Sequence, residues 1–363
     1  MAERGSRFVD RGRPLLLSLA LLVLAGGPGR PTTAAGQAGE FPAYIPISGV
    51  TPAGITVDKI GNVYLGVRET ISGVLYGKIW KFTPAGEQLF FAQIGAAELY
   101  GLTATADGDI YAAMARVGSG RGVFRVDRKG NIELVAGSDQ IVFPNAIAFD
   151  ERGTMYVTES YSGIPPDYGQ GGIWRIPKGG EAELWLRSGL LTGIKVAAYP
   201  VGANGIAFYH GHLYVTNTFP GRIVRIPVLP DGSAGDLEVW TTLQEVPESP
   251  LAGSPFPLMA DDLRLDVHGN VYVAVLSRAA VVRINASDKS QETIAAFQLV
   301  PHGSVPNIPL DFPASFVFGT GKGERQNLFV SSLGWGKMYV PAIPWPGAGL
   351  AKVDAGAPGD PQH

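Results

Sequence analysis

Hydrophobic and polar positions along this chain repeat one three-part phrase. A short run of small and β-branched residues comes first and ends in a polar turn. An alternating strand of the Leu-Tyr-Val kind follows, and after a loop comes a third run in which aliphatic residues alternate with arginine. The clearest copy is Gly202-Ala203-Asn204-Gly205-Ile206-Ala207-Phe208, then His212-Leu213-Tyr214-Val215-Thr216-Asn217, then Gly221-Arg222-Ile223-Val224-Arg225-Ile226-Pro227. Other copies open at Gly54, Gly101, Ala146, Asp262 and Ser315. Alternation with a period of two marks half-buried strands, and recurrence every 45 to 60 residues or so marks a repeat architecture.

Fourth strands follow most copies, over Gln88–Gln93, Ile132–Ala136, Ala182–Arg187, Leu237–Thr242 and Thr293–Leu299. Six units of four short antiparallel strands predict an all-β, six-bladed β-propeller. In the sixth unit the expected strands are Ser315–Phe318, Asn327–Val330 and Lys337–Val340, with no outer strand before a Pro/Gly-rich end. Tyr44–Ser48 is therefore expected to supply that outer strand and close the ring, which removes an exposed sheet edge. The expected organisation is a leader and linker over 1–38, the propeller over 39–345 and a disordered tail over 346–363.

Composition narrows the chemistry. The chain has no cysteine, so it offers neither a disulfide framework nor a thiol nucleophile. A net charge of −3 gives no basic surface for nucleic acid. Arg4, Arg7, Arg11 and Arg13 precede an apolar run of 11 residues, Leu15 to Ala25, with small residues after it. That pattern predicts a secretory signal and a secreted or periplasmic protein, and the run is short for a membrane span. No membrane association is expected after cleavage.

The residue just before each innermost strand, here the lead residue, is Ala53, Tyr100, Asn145, Asn204, Asp261 and Ala314 in turn. In a propeller these six ring one mouth of the central channel. The second strands return to the same mouth, bringing Glu69, Glu159 and Asn217. Amide and carboxylate oxygens converging from several blades suit a hard divalent cation. Each of these residues is also a good turn former that hydrogen-bonds its own backbone. Asn145, Asn204 and Asp261 stand at one register in consecutive blades, which favours a metal or polar-ligand site. Glu69, Tyr100, Glu159 and Asn217 are the substrate-facing candidates. His210, His212 and His268 read as solvated turn residues at the opposite mouth.

At Phe143-Pro144-Asn145-Ala146-Ile147-Ala148-Phe149-Asp150, Ala203-Asn204-Gly205-Ile206-Ala207-Phe208 and Ala260-Asp261-Asp262-Leu263-Arg264-Leu265-Asp266 the chain resembles the SMP-30/gluconolactonase/LRE-like family. The resemblance covers about residues 45 to 340. It implies a divalent cation, usually Ca²⁺, held by Asn145, Asn204 and Asp261, and hydrolysis of lactones or related esters. It places Asp261 in a dual ligand and base role and Asp262 where related lactonases carry a second polar residue. One departure stands out: the family has a glutamate ligand at the lead position of the first blade, where this chain has Ala53. The expected function is an exported, metal-dependent hydrolase of a small lactone or ester; the alternative is a non-catalytic propeller that binds a ligand or a protein.

Overall fold

A computed structural model of the protein describes residues 40–115, 120–163, 168–194 and 200–360. The leader expected over 1–38 lies outside them. Six four-stranded antiparallel sheets make up the chain, each in simple up-and-down order apart from the sixth. Their inner strands are Thr51–Val57, Glu98–Ala104, Pro144–Phe149, Ala203–Tyr209, Ala260–Leu265 and Pro313–Phe318. This is the six-bladed β-propeller expected from the repeat.

Packing follows from the phrase. Alternating apolar residues on the second and third strands face the neighbouring blade, so each seam between blades holds one apolar cluster. Ile79 and Leu99 meet at the seam of blades one and two, and Ala113 and Val157 at the next. Ile173 and Ile206 fill the third, Ile223 and Leu263 the fourth, and Val281 and Phe316 the fifth. Burying the larger of these side chains, the Ile, Leu, Val and Phe, contributes about 1.5–3 kcal/mol each. At the mouth opposite the lead residues the inner strands end in Asp turns. Asp58, Asp150 and Asp266 each accept backbone N–H bonds from residues two and four positions on. His268 lies in such a turn and donates its backbone N–H to Asp266.

The ring closes as expected, and the sixth blade departs from expectation in one strand. Tyr44–Pro46 is the outermost strand of blade six, so the blade joins both ends of the chain. Phe41 and Ile45 then fill the sixth seam with Ile55 and Phe329. Its third strand is Gly349–Asp354, paired with Asn327–Ser332, and not Lys337–Val340, which lies across the one-turn helix Gly336–Tyr339 and its end. Pro341, Pro344 and Pro346 follow that helix and cannot donate to a ladder. Beyond them, Leu350, Ala351 and Val353 are buried. The expected disordered tail over 346–363 is corrected on the same ground: it contains this strand, and Gly359 and Asp360 donate backbone N–H bonds to Arg325 and Leu265. Residues 361–363 lie outside the described residues.

Candidate functional site

Each lead residue sits at a break in strand pairing. The ladder between inner and second strand slips once per blade: between Pro52 and Ile55, Leu99 and Gly101, Pro144 and Ile147, Ala203 and Ile206, Ala260 and Leu263, and Pro313 and Ser315. Six lead residues thus occupy β-bulges inside the strands, and not the turns before them. A bulge re-aims a side chain out of the regular alternation. The residue after the lead must often be glycine. A Cβ on Gly101 would lie 2.2 Å from the carbonyl oxygen of Asn145, and one on Gly205 2.6 Å from Cα of Asp262, so bulges of adjacent blades touch backbone to backbone.

Hydroxyls on the second strands fix these bulges. Thr158 donates to the carbonyl of Asn204 at 2.6 Å, and Ser331 to that of Ala53 at 2.6 Å. Thr216 does the same for the carbonyl of Asp261. Each hydroxyl therefore ties its own blade to the lead residue of the next. Two residues further on, a second layer holds the side chains. Asn145 donates through Nδ2 to Ser160 Oγ at 3.0 Å, and Asn204 to Thr218 Oγ1 at 2.9 Å.

The Asn204 amide also acts on the carboxyl of Asp261. Burial, and then the neighbouring Asp262 carboxylate, push that carboxyl up to about 8, against the pull of Asn204 and of the Arg68 guanidinium. Asp261 is thus the one carboxyl among the lead residues.

Other expected residues are placed elsewhere. Asp262 is buried and turned to the next blade: it accepts from Arg264 Nη1 at 2.6 Å and from Ser315 Oγ at 2.6 Å. Glu159, fully buried, accepts from Val142 N at 2.7 Å and Trp174 Nε1 at 3.1 Å and pairs with Arg187 at 2.7 Å. Asn217 holds the carbonyls of Leu190 and Thr192. Glu69 pairs with Lys78 at 2.6 Å. Glu159 and Asn217 share their register position with Val67, while Ser160 and Thr218 share theirs with Arg68. Side chains on a strand alternate between faces, so a shift of one residue exchanges the wall for the channel.

Arg68 is the charged residue in register with the anchoring hydroxyls that the motifs do not reveal. Its side chain is nine-tenths buried and pairs with Glu98 at 3.3 Å. Its guanidinium lies 5.3 Å from the ring centre of Tyr100 and 5.8 Å from that of Trp335, close enough for cation–π attraction. Tyr100 donates its hydroxyl to Glu98 at 2.5 Å and packs on Phe143, which packs on Tyr161. Trp335 is carried on the loop between the second and third strands of blade six. Asp311, fully buried, accepts the backbone N–H of Gly336 at 2.7 Å and of Gly347 at 3.0 Å and so holds that loop by both ends. The register of Arg68 with Ser160 and Thr218 was the available signal, legible once the second strands were aligned.

Several solved structures resemble this chain in fold. A luciferin-regenerating enzyme matches with a TM-score of 0.61 at 14% identity, over 86% of this chain and 94% of its own. Regucalcin from Agrobacterium tumefaciens, described as a calcium-binding protein, matches with a TM-score of 0.58 at 18% identity, over 88% and 97%. A gluconolactonase from Xanthomonas campestris matches with a TM-score of 0.54 at 16% identity, over 91% and 99%. No curated protein matches by sequence. The family model of the SMP-30/gluconolactonase/LRE-like region matches residues 77–333. With the repeat, the six bulges and that match in hand, the chain belongs to the SMP-30/gluconolactonase/LRE-like family.

Proposed function

We propose that this protein hydrolyses a lactone or a related ester at the mouth ringed by the lead residues. Family membership supports the reaction class. The observation that carries the reading is Asp261: a lead carboxyl raised by burial and Asp262 and drawn down by Asn204 and the Arg68 charge. In its ionised form Asp261 takes a proton from water as the water adds to the carbonyl carbon. It returns that proton to the alkoxide that leaves when the ring or ester bond breaks. Asn145 and Asn204, anchored by Ser160 and Thr218, are fixed dipoles that orient the bound ester without reorganising.

The calcium ion implied by the resemblance would rest on Asn145, Asn204 and Asp261. These residues do not fit it. Ca²⁺ takes six to eight oxygens, several of them charged. Here the set has one carboxylate, Ala53 removes the lead glutamate, and Arg68 already brings a positive charge to Asp261. Among the described residues no three Asp, Glu or His side chains gather to replace the missing donor. No step above runs through a cation.

The test is a panel of lactones and aryl esters against the protein and its Asp261→Asn variant. Hydrolysis that depends on Asp261 and rises with pH through about 8, where the base ionises, supports the reading. Hydrolysis unchanged in Asp261→Asn contradicts it. Ala53 favours a second reading, a propeller that binds a ligand without turning it over. The panel separates the two, because binding without hydrolysis of any member selects the second. Export is part of the same proposal, resting on the arginine-flanked apolar run, and N-terminal sequencing of the mature protein checks it.

A further inference from the structure

Four observations meet at Arg68. It stands on the channel face of blade one, in register with the serine and threonine that anchor the two lead asparagines. Its side chain is nine-tenths buried, yet its Nε is buried without any hydrogen-bond partner. Glu98 takes one Nη and is itself fixed by the Tyr100 hydroxyl, so the guanidinium is oriented. Tyr100 and Trp335 lie within cation–π range of it from neighbouring blades. A buried guanidinium with an unmatched donor edge is costly unless something accepts from that edge. Arginine's fork matches the two oxygens of a carboxylate.

We infer that Arg68 is the built-in cation of this mouth, taking the place of a divalent ion, and that it receives the carbonyl oxygen of an aromatic or otherwise apolar ester and the carboxylate of the acid released from it. This rests on the hydrolase reading for the chemistry, but not for the binding. As water adds, its oxygen bonds the carbonyl carbon and its proton passes to Asp261. The carbonyl π pair moves onto the oxygen facing Arg68, where the guanidinium holds the charge. When that pair re-forms the carbonyl, the ring or ester C–O bond breaks and the proton leaves Asp261 for the alkoxide. Water is the only co-reactant, and no electrons are gained or lost. The body of the substrate lies against the part-exposed rings beside Arg68. Tyr100 and Phe143 stand on one side, backed by the buried Tyr161, and Trp335 and Tyr339 on the other, backed by the buried Phe312. A sugar lactone has no use for such walls, whereas an aryl or alkyl group buries apolar area on them.

Calorimetric titration of the full chain with sodium benzoate, and separately with CaCl₂, tests this. The wild type is expected to bind benzoate saturably and to give no saturable heat with Ca²⁺. Arg68→Met should weaken benzoate at least ten-fold, with Arg68→Lys in between. Arg68→Met/Glu98→Gln, which avoids leaving Glu98 without its cation, should lose benzoate equally while melting like the wild type. Ala53→Glu/Arg68→Met, which restores a lead carboxylate and removes the competing charge, should gain Ca²⁺ binding. Stoichiometric Ca²⁺ binding by the wild type that Asn204→Ala removes would overturn the inference, and so would benzoate binding indifferent to Arg68. If benzoate needs Arg68 but no ester is hydrolysed, the hydrolase reading falls and this site stands. If hydrolysis occurs but only with added Ca²⁺, the reverse holds.

Discussion

The two halves of one mouth differ in how they are built. Across blades three to five the lead residues are Asn145, Asn204 and Asp261, and the second strands carry the serine and threonines that hold them. Across blades six, one and two the lead positions hold Ala314, Ala53 and Tyr100. The channel there is furnished from other places, by Arg68 within a long second strand and by Trp335 on a loop. The first half uses short side chains on a rigid, repeated bulge. The second uses long side chains whose positions depend on partners outside the repeat, Glu98 and Asp311. Side chains are thus fixed by the repeated scaffold in the first half and by added contacts in the second. Sites on regular strands are held more precisely than sites on loops, which suits a proton-transferring carboxyl in the first half and a binding surface in the second.

The sharpest way to break this comparison is to remove the carboxyl on the rigid side. Asp261→Ala should lower kcat/KM about 10²–10⁴-fold, the range for a general base, with the melting curve shape unchanged. Glu159→Ala should behave oppositely. It leaves Trp174 Nε1 and Arg187 without their buried acceptor, so it should cost about 3 kcal/mol of stability in chemical denaturation. The folded protein that remains should keep its catalytic rate.

Asp261 also gives a pH signature. Its carboxyl is raised from 3.8 to about 8 in the folded protein, so ionising it opposes folding, and stability falls as pH rises from about 4 to about 8. Asp261→Asn should therefore stabilise the protein above pH 8, by roughly 1–3 kcal/mol once water and relaxation at the mouth are allowed for, with no gain below about pH 4. Thermal melting across that range checks the sign. On the fitted side, Trp335→Ala should raise KM for an aryl ester about ten-fold and leave KM for a small aliphatic lactone nearly unchanged. The smallest effect belongs to the bulge clamps. Thr158→Val removes one hydroxyl bond to the Asn204 carbonyl and should cost about 1 kcal/mol, read by denaturant midpoint.

The repeat made the rigid half readable from sequence. Small residues follow five of the six lead positions because adjacent bulges touch backbone to backbone, and with the alternation in the second strand they put Asn145, Asn204 and Asp261 in one register. The bulge itself was not legible, because one extra residue changes no period; the lead residues therefore looked like turn residues before the strand. Glu69, Glu159 and Asn217 were attractive as polar strand ends, but a side chain one position off faces the blade wall. Asp262 carries a carboxylate next to the lead residue, and only the contact with Arg264 and Ser315 shows that it is committed to the seam. Arg68 and Trp335 were hidden for the complementary reason. Neither recurs in other blades, and their meaning lies in contacts with Tyr100, Glu98 and the loop held by Asp311. In blade six, a Lys-Met-Tyr-Val string imitated the phrase locally, while prolines after it and the buried run Leu350–Val353 decided the strand.

The most direct test is the rate of hydrolysis of an aryl-substituted lactone by the wild type and by Asp261→Asn, each dialysed against excess EDTA and then given CaCl₂. The account predicts full wild-type activity in the chelator, no gain on adding calcium, and near-complete loss in Asp261→Asn under both conditions. Activity that vanishes in EDTA and returns with calcium would contradict it.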